Sequence, residues 1–269
     1  MSAASGTGPL RLALSMFTVI PAGDSGDIGE ADAGRAVLWL PAVGLVLAVA
    51  ASLVMLPVQV GGHSPLRELL AAVLAVATVA LLTGALHLDG LADTADGLGS
   101  RRPRDEALEI MRRPDIGPMG VAALVLMLLI QVSALAAISR AVTPDVPWAA
   151  RVLALSLAVV TSRVAVVAAT GAPAARAGGF GALVAGQTTA RARTAVVASW
   201  LVAATAAGAA LGGPAGAARD LAAVLTGLVA GVSLRRAAER RLGGMTGDVY
   251  GAIIEVTTAT VLVVLAASA

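Results

Sequence analysis

The chain has 269 residues, of which 58% are hydrophobic and only 13% charged. Soluble domains carry about 25% charge, so this composition excludes a soluble globular protein and indicates a single integral-membrane domain over residues 1–269. The absence of cysteine excludes disulfides and thiolate metal sites, and the net charge of +2 rests on nineteen arginines and no lysine, with too few aromatic residues (three Trp, two Phe, one Tyr) for the base-stacking platforms of a nucleic-acid binder.

The opening, MSAASGTGPLRLALSMFTVIPAGD, has an apolar core too short for a signal peptide, and its one basic residue, Arg11, follows ten uncharged ones. It predicts a short helix lying near the membrane surface. Seven segments then approach the roughly 20 apolar residues needed to cross about 30 Å of hydrocarbon: 36–56, 69–88, 119–139, 149–170, 194–213, 217–234 and 250–268. The expected architecture is therefore an all-α, polytopic helix bundle. Small residues such as Gly44, Gly84, Gly208 and Gly227 allow close helix packing. With the N-terminus in the cytoplasm, fourteen arginines fall inside: Arg11, Arg35, five between residues 101 and 113, Arg176, Arg191, Arg193 and four between 235 and 241. Four (Arg67, Arg140, Arg151, Arg219) fall outside, and Arg163 lies within a span, a clear positive-inside bias. The loops 89–118, 171–193 and 235–249 then share the cytoplasmic face and hold most of the specific-looking polar groups. A transporter would concentrate such groups near the bilayer midplane.

The second apolar run closes on HLDGLADTADGLGS, residues 87–100. Asp89, Asp93 and Asp96 stand at i, i+4 and i+7, within about a 60° arc of one helical face. Three like charges stacked this way repel one another and call for a cation. Oxygen ligands suit Mg²⁺, Mn²⁺ or Ca²⁺, and Mg²⁺ typically takes one or two carboxylates plus substrate phosphates. The plain alternative is a solvated helix end, against which stand the small residues between the charges. Gly90 and Gly97, each directly after an aspartate, leave room for a bulky ligand or a close neighbouring helix. His87 reads as a proton shuttle or an interfacial residue, and His63, in an outer loop, as a plain polar residue.

The next segment, SRRPRDEALEIMRRPDIGPMG, is basic. Arg101, Arg102 and Arg104 read either as phosphate-gripping residues or as what the positive-inside rule alone supplies. Arg112 lies beside Pro114, Gly117, Pro118 and Gly120, which predict a fixed turn into the third span, and it reads as a phosphate-gripping residue. Near the far end, LGGMTGDVYGAIIEV puts Asp248 and Glu255 seven apart on one helix face. Asp248 reads as a site residue. Glu255 and Arg163, both at membrane depth, are either an intramembrane ion pair or ligands of metal and phosphate respectively.

Together HLDGLADTADGL, LEIMRRPDIGPMG and GGMTGDVYGA resemble the cobalamin synthase family, the adenosylcobinamide-GDP ribazoletransferases. LALSMFTVIP, RAVLWLPAVGLVL and TSRVAVVAATGAPAARAGGFG resemble that family's opening and middle, so the likeness covers nearly the whole chain. It implies a multi-pass enzyme of the inner cell membrane, its site facing the cytoplasm, with Mg²⁺ as cofactor. The implied reaction joins adenosylcobinamide-GDP to the 5′-hydroxyl of α-ribazole, or to α-ribazole 5′-phosphate, releasing GMP and forming adenosylcobalamin or its 5′-phosphate. On that chemistry Asp89, Asp93 and Asp248 are expected to bind metal, with Asp96 a further ligand or the general base. His87 and Glu255 are the other candidate bases, and Arg112, Arg163, Gly90 and Gly97 are expected to line the substrate. One departure is plain: the family follows its IM with a basic residue, an aspartate and a serine, whereas here Arg112, Arg113 and Pro114 follow. Asp115 stands two places on as a replacement for the acid. Prenyltransferases and CDP-alcohol phosphotransferases also use aspartate-rich helices, but the Asn that opens the first motif of one and the Ala-Arg after the DG of the other are absent. The rival from another class is a cation- or proton-coupled transporter, which needs Asp89, Asp93 and Glu255 on one path reaching both faces. A homo-oligomer is compatible with the sequence but not specified by it.

Overall fold

A computed structural model describes residues 8–22, 29–60, 64–138 and 147–268. His63 and Arg140 lie outside them. The described residues form α1 (Pro9–Phe17), α2 (Glu30–Val37), α3 (Leu40–Val60), α4 (Pro65–Leu82), α5 (Leu86–Gly99), α6 (Arg104–Ile110), α7 (Pro118–Ala137), α8 (Pro147–Ala169), α9 (Gly179–Val184), α10 (Ala190–Leu242) and α11 (Gly247–Ala267). Six of these, α3, α4, α7, α8, α10 and α11, are long and apolar enough to cross a bilayer. Hydrocarbon offers no water to backbone N–H and C=O groups, so a chain of this composition satisfies them within helices.

α8 and α11 form the centre of the bundle. Their apolar stretches are 78% and 67% buried against other helices, compared with 22% for α7, 17% for α4 and 11% for α10. Small residues set the spacing, since lipid offers no hydrophobic force to press helices together. A Cβ on Gly44 of α3 would stand 3.1 Å from the Val159 carbonyl oxygen of α8, and one on Gly227 of α10 would stand 2.5 Å from the Val261 side chain of α11.

A straight helix of α10's 53 residues would run about 80 Å, more than twice the hydrocarbon thickness. It is instead broken at Gly213, whose φ of 60° and ψ of −154° are not helical, with Pro214 next. The two arms fold back so closely that a Cβ on Gly208 would meet the Gly216 carbonyl oxygen at 2.5 Å. Both ends of α10 consequently lie at one end of the bundle. There Arg193 packs on Gly171, just past α8, and the Leu242 carbonyl accepts from Arg104 Nε at 2.9 Å. The arms correspond to the expected segments 194–213 and 217–234.

The expected segment 69–88 needs correction. α4 stops at Leu82, Gly84 and Ala85 both turn through positive φ (58° and 57°), and α5 starts afresh at Leu86. The aspartates are therefore not the wet end of a spanning helix; they have a 14-residue helix of their own. Gly84 serves this turn and not the helix packing expected of it. The short opening helix does form, and α1 buries Leu12, Ala13 and Phe17.

Candidate active site

α5 and α11 cross at Gly90. A Cβ there would stand 2.7 Å from the Asp248 carbonyl oxygen and 2.9 Å from its Cα, and one on Gly251 would stand 3.1 Å from the His87 Cα. Only glycine lets the two backbones come this close, and the contact brings Asp248 to the helix that carries Asp89 and Asp93. The charges feel one another. Burial, then Asp89, Asp248 and Asp96, push the Asp93 carboxyl up from 3.8 to about 6, with Arg176 partly offsetting them.

The Asp248 carboxylate accepts a hydrogen bond from Thr246 Oγ1 at 3.1 Å and faces Arg176 Nη2 at 3.6 Å. Thr246 also caps α11, accepting from the Val249 N–H. Arg176, like Arg113, is a site residue that sequence reasoning missed, having been counted only among the inner arginines. Its loop docks on the turn before α11: Ala175 N–H donates to Met245 O at 2.9 Å, and Met245 N–H to Pro173 O at 2.8 Å. Arg104 clamps the same junction, donating to Leu242 O and Ala175 O. The available signal was the glycine-rich turn itself, for a Cβ on Gly181 would meet the Met245 carbonyl oxygen at 2.5 Å.

Several expectations change. Asp96 accepts from the Gly117 N–H at 2.7 Å and the Gly120 N–H at 2.9 Å, so both its oxygens are committed to the first turn of α7. It caps the first turn of α7 across the helix interface. Gly90 lies under Asp248, and Gly97 under the Met111 side chain. The room they provide is taken by protein, not substrate. Glu255, two turns along α11 from Asp248, is buried and accepts from Gln131 Nε2 at 2.7 Å. Arg163 donates to Val159 O and Ser162 Oγ. These two make no direct ion pair, one of the two arrangements expected, and neither lines the space around Asp89, as the other required. They face a separate cavity of about 20 Å³, room for one water.

The other predicted residues do come together. A cavity of about 310 Å³ reaches Asp89, His87, Asp248 and Arg176. A second, of about 270 Å³, reaches Asp89, Asp93, Arg112, Arg113 and Asp115. Asp89 borders both. The expected turn after α6 holds Arg112 there, with Pro118 opening α7. Among the described residues, no three His, Asp or Glu side chains make a ready-made metal cage. The donor set still suits a hard divalent ion, because Mg²⁺ commonly takes one or two carboxylates and completes its shell with substrate phosphates.

A family model described as cobalamin-5-phosphate synthase matches residues 9–266. Relatives from Frankia casuarinae, Bradyrhizobium diazoefficiens and Pseudomonas aeruginosa, each named adenosylcobinamide-GDP ribazoletransferase, are 41%, 39% and 37% identical to the chain. The matches cover 95%, 96% and 96% of this chain and 93%, 93% and 97% of theirs. No solved structure matches.

Proposed function

The chain belongs to the cobalamin-5-phosphate synthase family, and from that premise we propose that it transfers the phospho-cobinamide group of adenosylcobinamide-GDP to α-ribazole or its 5′-phosphate, releasing GMP. The products are adenosylcobalamin and its 5′-phosphate respectively. The observation that carries this reading is the glycine contact between α5 and α11, which brings Asp248 beside α5, so that Asp89 shares one cavity with Asp248 and Arg176 and the adjoining one with Asp93, Arg112 and Arg113.

The family's name puts a 5-phosphate on its product. A 5′-oxygen that stays a phosphate ester cannot also bond to the phosphorus of cobinamide. The nucleophile is therefore a secondary ribose hydroxyl, not the 5′-hydroxyl expected at first. Its oxygen attacks the phosphorus attached to cobinamide, the bond from that phosphorus to the oxygen of GMP breaks, and the hydroxyl proton passes to a base. Of the three candidate bases, Asp96 and Glu255 are engaged elsewhere. His87 remains, buried in the cavity wall with both ring nitrogens unpartnered. Arg112 and Arg113 hold the diphosphate, and the Arg176–Asp248 contact fixes the late helix against the site. Asp89, Asp93 and Asp248 are the groups that would hold Mg²⁺, which when bound neutralises charge developing on the departing phosphate.

The same reading puts the site on the cytoplasmic face of the inner membrane, with seven crossings made by α3, α4, α7, α8, the two arms of α10, and α11. The transporter alternative has less support, since Glu255 borders the small cavity and Asp89 and Asp93 border others. The test is to incubate purified protein with adenosylcobinamide-GDP, α-ribazole and Mg²⁺. GMP and adenosylcobalamin appear in equal amounts; no GMP across a series of divalent metals rejects the reading.

A further inference from the structure

The two cavities that meet at Asp89 differ in chemistry, and the difference assigns the substrates, given the transfer reaction above. The chain holds only two Phe and one Tyr. All three line the larger cavity: Phe17 from α1, Phe180 from α9 and Tyr250 from α11. Their rings form an edge-to-face series, with centroids 5.3 Å apart for Phe17–Phe180 and 5.8 Å apart for Phe180–Tyr250. Polar atoms in the same wall are buried without partners: both ring nitrogens of His87, the Tyr250 hydroxyl and Arg176 Nη1. An apolar, aromatic wall carrying a few convergent unpaired polar groups is how a small-molecule site is built.

We propose that this cavity is the acceptor subsite, where the planar heteroaromatic base of the nucleoside lies against Phe17, Phe180 and Tyr250 and its ribose points to Asp89 and Asp248. Three arguments converge. A volume of about 310 Å³ is on the scale of a nucleoside and far too small for the corrinoid of the donor. The guanine of the donor presents two N–H groups and a carbonyl on its pairing edge, and a buried edge of that kind needs matched acceptors. Beyond Asp89, Asp248, His87 and Tyr250 the wall is mostly apolar, with Met16, Leu86, Val166 and Ile254, whose side chains offer none. A benzimidazole base has one free ring nitrogen, so it asks a single donor of a wall that carries Arg176, His87 and Tyr250. The smaller cavity, with Arg112 and Arg113 beside Asp93, takes the diphosphate of the donor. Asp89 stands on the boundary, so nucleophile and phosphorus meet there.

The test separates this assignment from the reaction itself. Equilibrium dialysis of α-ribazole against the purified full chain reads acceptor binding without turnover, and steady-state assays read KM for each substrate. Phe180→Ala and the volume-keeping Phe180→Leu are expected to weaken α-ribazole binding and raise its KM about tenfold or more, as loss of a base-stacking ring does. KM for adenosylcobinamide-GDP stays within about twofold of the starting value, and Arg112→Ala reverses the pattern. If the unaltered protein releases GMP but both Phe180 variants raise KM for the donor and not for α-ribazole, the cavity is the guanosine site and the assignment is overturned. It is overturned equally if both variants bind α-ribazole as the unaltered chain does. If the unaltered protein binds α-ribazole with the Phe180 dependence described yet releases no GMP, the acceptor subsite stands and the transfer reaction does not.

Discussion

At the residue scale, two aspartates one turn of helix apart from a third have opposite fates when altered. Asp89 is exposed between two cavities and makes no hydrogen bond that the fold needs. Asp89→Asn is expected to leave a folded, membrane-inserted protein whose GMP release falls at least a thousandfold, on the order expected when the charge facing a phosphoryl-transfer centre is lost. Asp96→Ala strips the first turn of α7 of both its acceptors. Losing a helix cap costs about 1–2 kcal/mol, so its thermal midpoint in detergent drops by several degrees. Equal stability in the two variants would contradict the division of labour. The i, i+4, i+7 spacing was enough to find all three acids, because helical period alone puts them on one face. It was silent on Asp96, since nothing in the spacing says that the N-terminus of α7 will arrive on that side. Asp93 brings a pH dependence. Its carboxyl titrates in the folded protein at about 6, raised from 3.8, so protonated Asp93 favours the metal-free fold. That contribution is present below about pH 4, is lost as pH rises to about 6 and levels off beyond. The difference in thermal midpoint between the unaltered chain and Asp93→Asn, without metal, should follow this window. Mg²⁺ should then stabilise the unaltered chain above pH 6 and not at pH 4.

At the scale of elements, the site is made by one helix crossing, and its tolerance is set by distances already in the backbone. A methyl on Gly90 collides with Asp248 backbone atoms at 2.7 and 2.9 Å, whereas one on Gly251 meets His87 backbone atoms at 3.1 Å. The first must push α5 and α11 apart; the second needs a shift of a few tenths of an ångström. Because misplacing reacting groups by about 1 Å can cost about a hundredfold, Gly90→Ala is expected to lose that much kcat while Gly251→Ala loses less than tenfold. A reversed order would mean that the crossing does not build the site. Sequence reading saw that Gly90 made room and assigned that room to substrate, although a glycine does not say whether a ligand or a helix fills the space. The same limit explains why the expected span 69–88 ran past the true end of α4 at Leu82. Hydropathy sums composition along a window, and the turn at Gly84 and Ala85 changes φ with almost no change in apolar content. The break in α10 was legible for the converse reason, since Gly212, Gly213 and Pro214 interrupt the apolar run in the sequence itself. Arg176 stayed hidden because its place depends on a loop pairing with the turn at Met245, a contact 70 residues away along the chain that no local pattern carries.

At the scale of the whole molecule, the proposed orientation rests on where the arginines collect, and the fold sharpens the count. Of the arginines assigned to the outer side, Arg151 is buried against Glu68 at 3.2 Å, and the half-buried Arg219 pairs with the buried Asp220 at 2.8 Å. These two are structural pairs within the bundle, not free loop charges. The inner arginines include Arg112, Arg113 and Arg176, which line the cavities, so the side that holds the loop charge is also the side that holds the chemistry. This is testable because the chain has no cysteine, and any introduced thiol reports its own position. Ala190 and Arg241 are exposed near the two ends of α10, and Ala215 is exposed at its bend. In intact cells a membrane-impermeant maleimide is expected to label Ala215→Cys alone, with Ala190→Cys and Arg241→Cys reacting only after the inner membrane is opened. Labelling at opposite faces for Ala190→Cys and Arg241→Cys would mean that α10 crosses once and would cancel the seven-crossing arrangement. Labelling of both from outside would invert the bundle and put the aspartates of α5 beyond reach of a cytoplasmic nucleotide-linked substrate, which the proposed reaction cannot survive.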